Sequence, residues 1–329
     1  MPIPLLFIGV AAVSGTAGVG ATAKAGIDTV KAKSLNQEAN EKIETYAERL
    51  DILRKQCGES LNDLGKIKLF VLNNSISRFL DTFVKIKNVN FKESEGINEV
   101  NKLKVDKLDF AELTEMTKFS TSLVQGGVAG MTGGALAAFG AYSAATTFAT
   151  ASTGTAIASL SGAAASNATL AFFGGGSIAS GGLGIAGGTA VLGGLVAGPA
   201  LLVMGIITST KAGKNLQEAY ANSAKAEEIC EELNTGALQC IAIRRKCSMY
   251  YSLLARLESK LRSLQERMEE IIDAEGVDYS KYSPESKMSI AAIVSVVGTI
   301  KAVLDTTILL EDGLLSSESD QVFDELSKL

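Results

Sequence analysis

The chain has 329 residues, no histidine, no tryptophan and a formal net charge of −5. Without histidine, Ser-His-Asp and Cys-His catalytic arrangements and histidine-ligated metal sites are excluded. General acid–base catalysis near neutral pH also lacks its usual residue. We therefore expect a protein that is not an enzyme and that has no cofactor and no metal site. The negative charge argues against a nucleic-acid partner.

Residues 1–23 form an uncharged, apolar N-terminal segment. Its most apolar part runs from about Ile3 to Val13 and lacks the basic start of a secretory signal, although Ala21-Thr22-Ala23 has the form of a cleavage site. A membrane anchor or a buried helix is the favoured interpretation.

Residues 24–118 are predicted to form the first half of an amphipathic helical arm. Apolar residues alternate at spacings of three and four, which is typical of a heptad seam. The seam residues are Ile43, Tyr46, Leu50, Leu53, Cys57, Leu64, Ile67 and Val71. Gly58 and Gly65 weaken this helix by about 1 kcal/mol each relative to alanine. Residues 88–107 are predicted as a loop, and a short helix is expected to begin near Asp109.

Residues 119–210 contain no Asp, Glu, Lys or Arg, and twenty of them are glycine. Small residues recur four apart, which places them on one helix face where two backbones can approach closely, as in packed membrane helices. We therefore predict a glycine-zipper membrane block. The residues expected to set its helix contacts are Gly126, Gly130, Gly134, Gly184, Gly188, Gly194 and Gly198, with Pro199 as a kink.

As a helix in water, this block would be unfavourable by on the order of 20 kcal/mol relative to alanine, whereas lipid drives a backbone to be helical. A flexible linker and a β-structure are the alternatives. The best candidate span is 189–208, followed by 123–148 and 156–173. Lys118, Lys211 and Lys214 flank the block, so the charged arms are expected on the cytoplasmic side of a bacterial inner membrane.

Residues 211–310 are predicted to form the second half of the arm. The apolar stripe comprises Ala226, Cys230, Leu233, Ala237, Cys240, Cys247, Tyr250, Leu254, Leu257, Leu261, Leu264, Met268 and Ile271. Two such helices are predicted to pair antiparallel as a coiled-coil stalk, with a compact bundle as the alternative. The predicted fold class is therefore all-α, with a long antiparallel helical or coiled-coil arm that flanks a Gly/Ala-rich apolar hairpin or bundle.

Gly276 is predicted to end this helix, and Ser283-Pro284-Glu285 to begin another that reaches about residue 310. The uncharged run of that last helix, 288–300, is too short to span a bilayer, so it is expected to pack on the stalk. The acidic tail, 311–329, is expected to fray. The four cysteines form no CxxC pair and are predicted to be buried free thiols, with a regulatory disulfide as the alternative.

The run ATLAFFGGGSIASGGLGIAGGTAVLGGLVAGPALLV (168–203) resembles bacterial glycine-zipper membrane proteins. The layout of the chain resembles that of α-helical pore-forming toxins of the cytolysin A type, in which long helices flank an apolar hairpin that inserts into lipid. The resemblance implies a membrane-permeabilising toxin or defence effector that oligomerises in a bilayer and is soluble before insertion. The alternative function is a scaffold whose helices self-assemble with the Gly-rich block buried in protein.

Overall fold

The computed structural model describes residues 21–90, 107–125, 139–141, 216–310 and 314–327. Within these ranges the regular elements are all helical and only two isolated β-bridges occur, so the all-α prediction is confirmed. The elements are α1 (Ala21–Phe70), a π-helical segment (Val71–Ile76), α2 (Ser77–Phe83), α3 (Lys107–Gln125), α4 (Leu216–Glu275), a 3-10 turn (Tyr279–Lys281), α5 (Pro284–Asp305) and α6 (Ser317–Leu326).

The chain divides into two compact units. The described part of unit 1 consists of α1 up to Ala47 and α4 up to Glu232. Unit 2 contains the described residues from Glu48 to 141 and from Leu233 to 327. Helices α1 and α4 therefore each contribute residues to both units.

In unit 1, α1 and α4 run parallel. Asn222 Nδ2 donates to Asn36 Oδ1 at 3.0 Å, and Lys42 Nζ lies 3.5 Å from Glu227 Oε1, so the residue numbers rise together along both helices. The buried side chains of these two helices in unit 1 are mostly small, which allows close packing. They are Ala32, Ala39, Ile43, Ala219, Ala226, Ile229 and Cys230.

Unit 2 shows the same parallel direction, so the predicted antiparallel arrangement is wrong. Arg49 bonds Asn234 near the start of the unit 2 part of α4, and Arg78 on α2 bonds Glu269 further along α4, so the residue numbers again rise together. Apolar periodicity carries no information about helix direction. Polar partners across the interface discriminate between the two directions, and the long connection between the helices allows the chain to return.

The interior face of α1 differs in part from the predicted seam. Five of the predicted residues are buried, namely Ile43, Leu50, Cys57, Leu64 and Val71, whereas Tyr46, Leu53 and Ile67 are only half-buried. The second buried row consists instead of Arg54, Leu61 and Lys68 on α1 and Ser75 on the π-helical segment that follows. Three of these four side chains are polar. Apolar spacing therefore predicted the adjacent residues Leu53 and Ile67 in place of Arg54 and Lys68.

The predicted stripe of α4 is confirmed, since every member is buried except the half-buried Leu264. Gly276 ends α4 with a φ of +81°, a conformation that favours glycine. Ser283 caps α5 by accepting a hydrogen bond from the Ser286 backbone N–H, and Pro284 occupies the first turn, as predicted. Helix α5 ends at Asp305, about five residues earlier than predicted.

The other helices of unit 2 cover this core. Phe110 of α3 stacks on Phe83 of α2, with ring centroids 5.2 Å apart. Helix α3 begins at Lys107, two residues before the predicted start. The prediction of a frayed tail is wrong for residues 317–326, which form α6. Tyr250 O–H donates to the Ser319 carbonyl at 2.6 Å and its ring contacts Phe323, so aromatic packing holds α6 on α4.

Candidate functional site

The glycines predicted to set helix contacts, from Gly126 to Gly198, and Pro199 lie outside the described residues, as do all three candidate spans apart from a few residues. The described part of the uncharged block consists of residues 119–125, at the end of α3, and residues 139–141. The second group belongs to the candidate span 123–148. The contacts of residues 139–141 therefore show whether this part of the uncharged block is enclosed by protein.

Residues 139–141 are buried within unit 2 and touch α1 closely. Phe139 is 2% exposed and Ala141 is fully buried. A Cβ atom added to Gly140 would lie 2.1 Å from the backbone oxygen of Leu61 and 3.1 Å from the backbone nitrogen of Gly65. Real Cβ atoms do not approach another heavy atom as closely as 2.1 Å, so only glycine fits at this position without a shift of the backbone. Gly65, predicted only to weaken α1, lies where a second backbone approaches.

Hydrogen bonds attach the same residues to two other parts of unit 2. The Ala141 carbonyl accepts from the backbone N–H groups of Ile308, at 2.7 Å, and Leu309, at 3.1 Å. The Gly140 carbonyl accepts from Lys68 Nζ at 3.4 Å. Buried carbonyls require such partners, because leaving one unpaired costs about 1–3 kcal/mol. This part of the uncharged block is thus held by packing and by three donors.

Lys68 is the most costly residue in this environment, because its side chain has no exposed surface. Burial lowers the pKa of its ammonium group to about 8, and the nearby Asp305 carboxylate acts in the opposite direction. Burial also raises the pKa of Asp305, which bonds Lys301 at 2.6 Å. Lys301 in turn lies 2.9 Å from Glu112. Lys68, Asp305, Lys301 and Glu112, which we call the ionic cluster, lie on α1, α3 and α5 and have no net formal charge; Lys68 is fully buried, whereas the Glu112 side chain is 39% exposed.

Sequence reasoning did not identify this cluster. Lys68 was missed because a charged side chain is not expected at a buried position of α1. Gly140 was missed because it does not continue the four-residue spacing of Gly126, Gly130 and Gly134. The only available signal was the pair Lys301 and Asp305, which are four residues apart and follow the uncharged run 288–300 of α5.

A cysteine pair lies elsewhere in unit 2, between α1 and α4. Both residues, Cys57 and Cys240, are buried. Interaction with the Cys240 thiol, together with burial, raises the pKa of Cys57. Interaction with the Cys57 thiol lowers the pKa of Cys240, burial opposes that effect, and the Arg54 guanidinium lowers it further. The prediction of buried free thiols is confirmed for all four cysteines.

One described helix, α5, is long and apolar enough to cross a membrane by length and composition alone, with a mean hydropathy of 1.7 over its best window. More than half of that window, 56%, is buried inside the protein. Its buried side chains include Ile290, Val294, Val297 and Leu304. Helix α5 is therefore mostly surrounded by protein, in agreement with the prediction that it packs on the arm.

No group of three or more Cys, Asp or Glu side chains within the described ranges is arranged to hold a metal ion. An open groove between α2 and α3 is lined by Ser77, Asp81, Thr114, Thr117 and other side chains. The hydroxyls of Thr114 and Thr117 donate to carbonyls one helical turn earlier, so they are not directed towards a ligand.

Comparisons with protein-family models, with characterised proteins and with solved structures find no match.

Proposed function

We propose that this chain is a helical protein that inserts part of its uncharged block into a lipid bilayer and permeabilises the membrane, as a toxin or defence effector does. The observation that carries the proposal is the parallel direction of α1 and α4 in unit 1. Because the helices run parallel, Ala21 and Leu216 both begin their helices at the same end of unit 1. In the sequence, an uncharged apolar run precedes each of these starts, with lysines close to the junction.

The composition of those runs favours lipid over water. Residues 189–208 are long enough to cross the hydrocarbon core as a helix, and contain four glycines that are unfavourable in a solvated helix. Lys211 and Lys214 follow this span, and Lys24 follows the N-terminal segment. Lysines at this position suit the polar boundary of a bilayer. A homo-oligomer in lipid follows if the spaced glycines pack against those of other copies.

A second candidate function, a scaffold with its Gly-rich block buried in protein, is favoured by residues 139–141. These residues belong to the block and lie in the core of unit 2. The two functions differ in where the downstream span 189–208 resides. In the membrane proposal, 189–208 enters lipid while residues 139–141 remain in protein. In the scaffold, both are enclosed by protein.

The absence of tryptophan permits a direct test, since any introduced tryptophan is the only one in the chain. Leu202→Trp reports on the span, Phe139→Trp on the buried residues of unit 2, and Tyr251→Trp on an exposed position of α4. Each full-length variant is mixed with phosphatidylcholine vesicles whose acyl chains carry bromine, a contact quencher. Leakage of a trapped dye is recorded with the wild-type chain.

The proposal predicts strong quenching at position 202, none at 139 or 251, and dye leakage. Quenching at none of the three positions, together with intact vesicles, would establish the scaffold instead. Gly194→Leu adds a test of the helix contacts. Chemical crosslinking in lipid should show loss of the oligomer, while circular dichroism should show that the helical content of the rest of the chain is retained.

A further inference from the structure

We propose that residues 308–310 and 314–326, which we call the clasp, hold residues 139–141 of the uncharged block in unit 2 and let them enter lipid only after α6 detaches. The inference rests on the proposed membrane function, which concerns the downstream span 189–208. It adds a second segment, the candidate span 123–148, and a step that controls its release. The alternative is a permanent cover that stays on unit 2 at all times.

The first argument is a continuous series of hydrogen bonds from α4 to the uncharged block. Tyr250 of α4 donates to the Ser319 carbonyl, and the Ser319 backbone N–H donates to the Ser316 carbonyl at 3.2 Å. The Ser316 N–H donates to the Ile308 carbonyl at 2.9 Å, and the Ile308 N–H donates to the Ala141 carbonyl at 2.7 Å. Detachment of α6 from α4 would therefore loosen the residues that bind Ala141.

The second argument is the small apolar surface that holds α6. Two of its ten residues, Ser319 and Leu326, are buried, against eleven of the twenty-two residues of α5. Val322 and Phe323 of α6 are only half-buried. Segments with few buried apolar contacts open locally at a lower free energy than the core. Helix α6 can therefore detach while α5 stays in place.

The third argument is the charge that attaches α6. Lys246 of α4 pairs with Asp320, and the lysine side chain is only 8% exposed. Arg256 of the same helix donates to the Ser327 carbonyl at 3.1 Å. Because one partner of the ion pair is nearly buried, salt and water screen it less than a pair on the surface. A change of charge on α6 would therefore act strongly on its attachment.

Lipid is the partner that fits the released residues. Without the clasp, the Ala141 carbonyl loses the backbone N–H groups of Ile308 and Leu309, and an unpaired carbonyl is unfavourable inside a protein. A helix in lipid satisfies its own carbonyls. The candidate span 123–148 carries no charge and is long enough to cross the hydrocarbon core as one helix.

Amide hydrogen exchange of the full-length chain measures detachment of the clasp without lipid. The Ile308 and Leu309 N–H groups exchange when they leave the Ala141 carbonyl. Asp320→Lys places a second cation beside Lys246, so exchange at these two amides should be several-fold faster than in wild type. Adding Lys246→Glu restores an ion pair of reversed order and should return the exchange rate towards wild type.

Glu325→Lys is the matched control for Asp320→Lys. It makes the same charge change at another exposed position of α6 and should leave exchange at Ile308 and Leu309 unchanged. The amides of α5 report on opening of the whole unit. Equal exchange at Ile308 and Leu309 in wild type and Asp320→Lys would overturn the clasp. Exchange that accelerates equally in α5 would also overturn it, since unit 2 would then open as one body.

Brominated phosphatidylcholine vesicles test whether the released residues reach lipid. Phe139→Trp is combined with Asp320→Lys and with Phe323→Ala, which removes the ring that contacts Tyr250. Tryptophan fluorescence at position 139 should be quenched in this opened chain, whereas Phe139→Trp alone shows no quenching in the same period. Replacing Asp320→Lys by Glu325→Lys in the combination should reduce the rate of quenching several-fold.

Two tryptophan positions separate failure of the clasp from failure of the proposed function. Quenching at position 202 with an intact clasp decides the membrane function, and quenching at position 139 in the opened chain decides the clasp. Quenching at 202 without quenching at 139 would overturn the clasp alone, and quenching at neither position would overturn both. Circular dichroism verifies the helical content of the opened chain, and if helix is lost, Asp320→Lys alone serves as the opened chain.

Discussion

Two sets of positions on helix α1 give the same residue types opposite roles. At Leu61 and Lys68 the helix receives the backbone of Gly140 and buries a lysine. At Gly58 an added Cβ would meet nothing within 4 Å, and the side chain of Lys66 is 60% exposed. The glycine packed against the first set cannot be replaced without a backbone shift, whereas Gly58 can be replaced, and the lysine is costly in the first set and solvated in the second. The partner, not the residue type, decides the energetic role.

The largest effect should come from Gly140→Ala. Its Cβ would overlap the Leu61 carbonyl, and a backbone atom cannot move aside cheaply. We expect a loss of about 3 kcal/mol in the free energy of unfolding, at the upper end of the usual cost of overpacking. Urea denaturation followed by circular dichroism measures it. A stability within about 0.5 kcal/mol of wild type would mean that residues 139–141 do not occupy this position.

Lys68→Met comes next and tests the ionic cluster. Burial moves the pKa of Lys68 from its ordinary value of 10.5 to about 8, which corresponds to a cost on the order of 3 kcal/mol for the charged form. Methionine avoids that cost but forfeits the bond to the Gly140 carbonyl, so we expect a net gain in stability at pH 7 that is smaller than the full penalty.

The pH dependence of this gain has a definite sign. Between about pH 8 and 10.5 the folded protein has released the Lys68 proton while the unfolded chain still binds it, so the wild type is progressively stabilised as the pH rises. The advantage of Lys68→Met should therefore shrink across this interval. Lys66→Met, two residues away and exposed, is the matched control and should show no such trend. A constant difference between wild type and Lys68→Met would contradict the burial of a charged amine.

Gly58→Ala should have a smaller effect of opposite sign to Gly140→Ala. The site has room for the methyl group, and alanine is favoured over glycine in a helix by about 1 kcal/mol. Thermal unfolding should show a higher midpoint. If this variant were as unstable as Gly140→Ala, the contrast between the two glycines would be lost.

The smallest effect tests the parallel direction. Arg78 on α2 and Glu269 on α4 form two bonds, at 3.1 and 2.8 Å, in a pair that is nearly half exposed. Such pairs contribute about 0.2–1 kcal/mol. In a double-mutant cycle, Arg78→Glu and Glu269→Arg should each destabilise the protein, and the exchanged pair should recover most of the loss. Strictly additive losses would show that these residues are not neighbours.

The sequence was most informative where burial and apolar character coincide. The stripe of α4 and the start of α5 follow from spacing and capping. The second buried row, along α1 and the π-helical segment, does not follow from spacing. Its members Arg54, Lys68 and Ser75 are polar residues whose burial depends on partners distant in the chain. Helix α6 was mistaken for a frayed tail because its charge was given more weight than the spacing of Val322, Phe323 and Leu326.

The candidate site was harder to predict than the fold. The contact of Gly140 with α1 joins residues about 75–79 positions apart, and no local pattern encodes such a contact. The parallel direction of α1 and α4 was likewise not encoded locally, because it depends on which polar side chains, distant in the chain, contact each other. Glycine spacing predicts where helices approach closely, but it does not distinguish lipid from a protein core as the surroundings of those helices.

The most direct measurement of the central claim is fractionation of expressing cells, followed by an alkaline carbonate wash of the membranes. Peripheral proteins leave membranes under this treatment, whereas inserted helices stay. The account predicts that the full-length chain remains in the washed pellet and that a chain lacking both residues 1–20 and residues 187–208 is released. Recovery of the full-length chain in the soluble fraction without detergent, with no portion retained after the wash, would contradict membrane insertion and favour the scaffold.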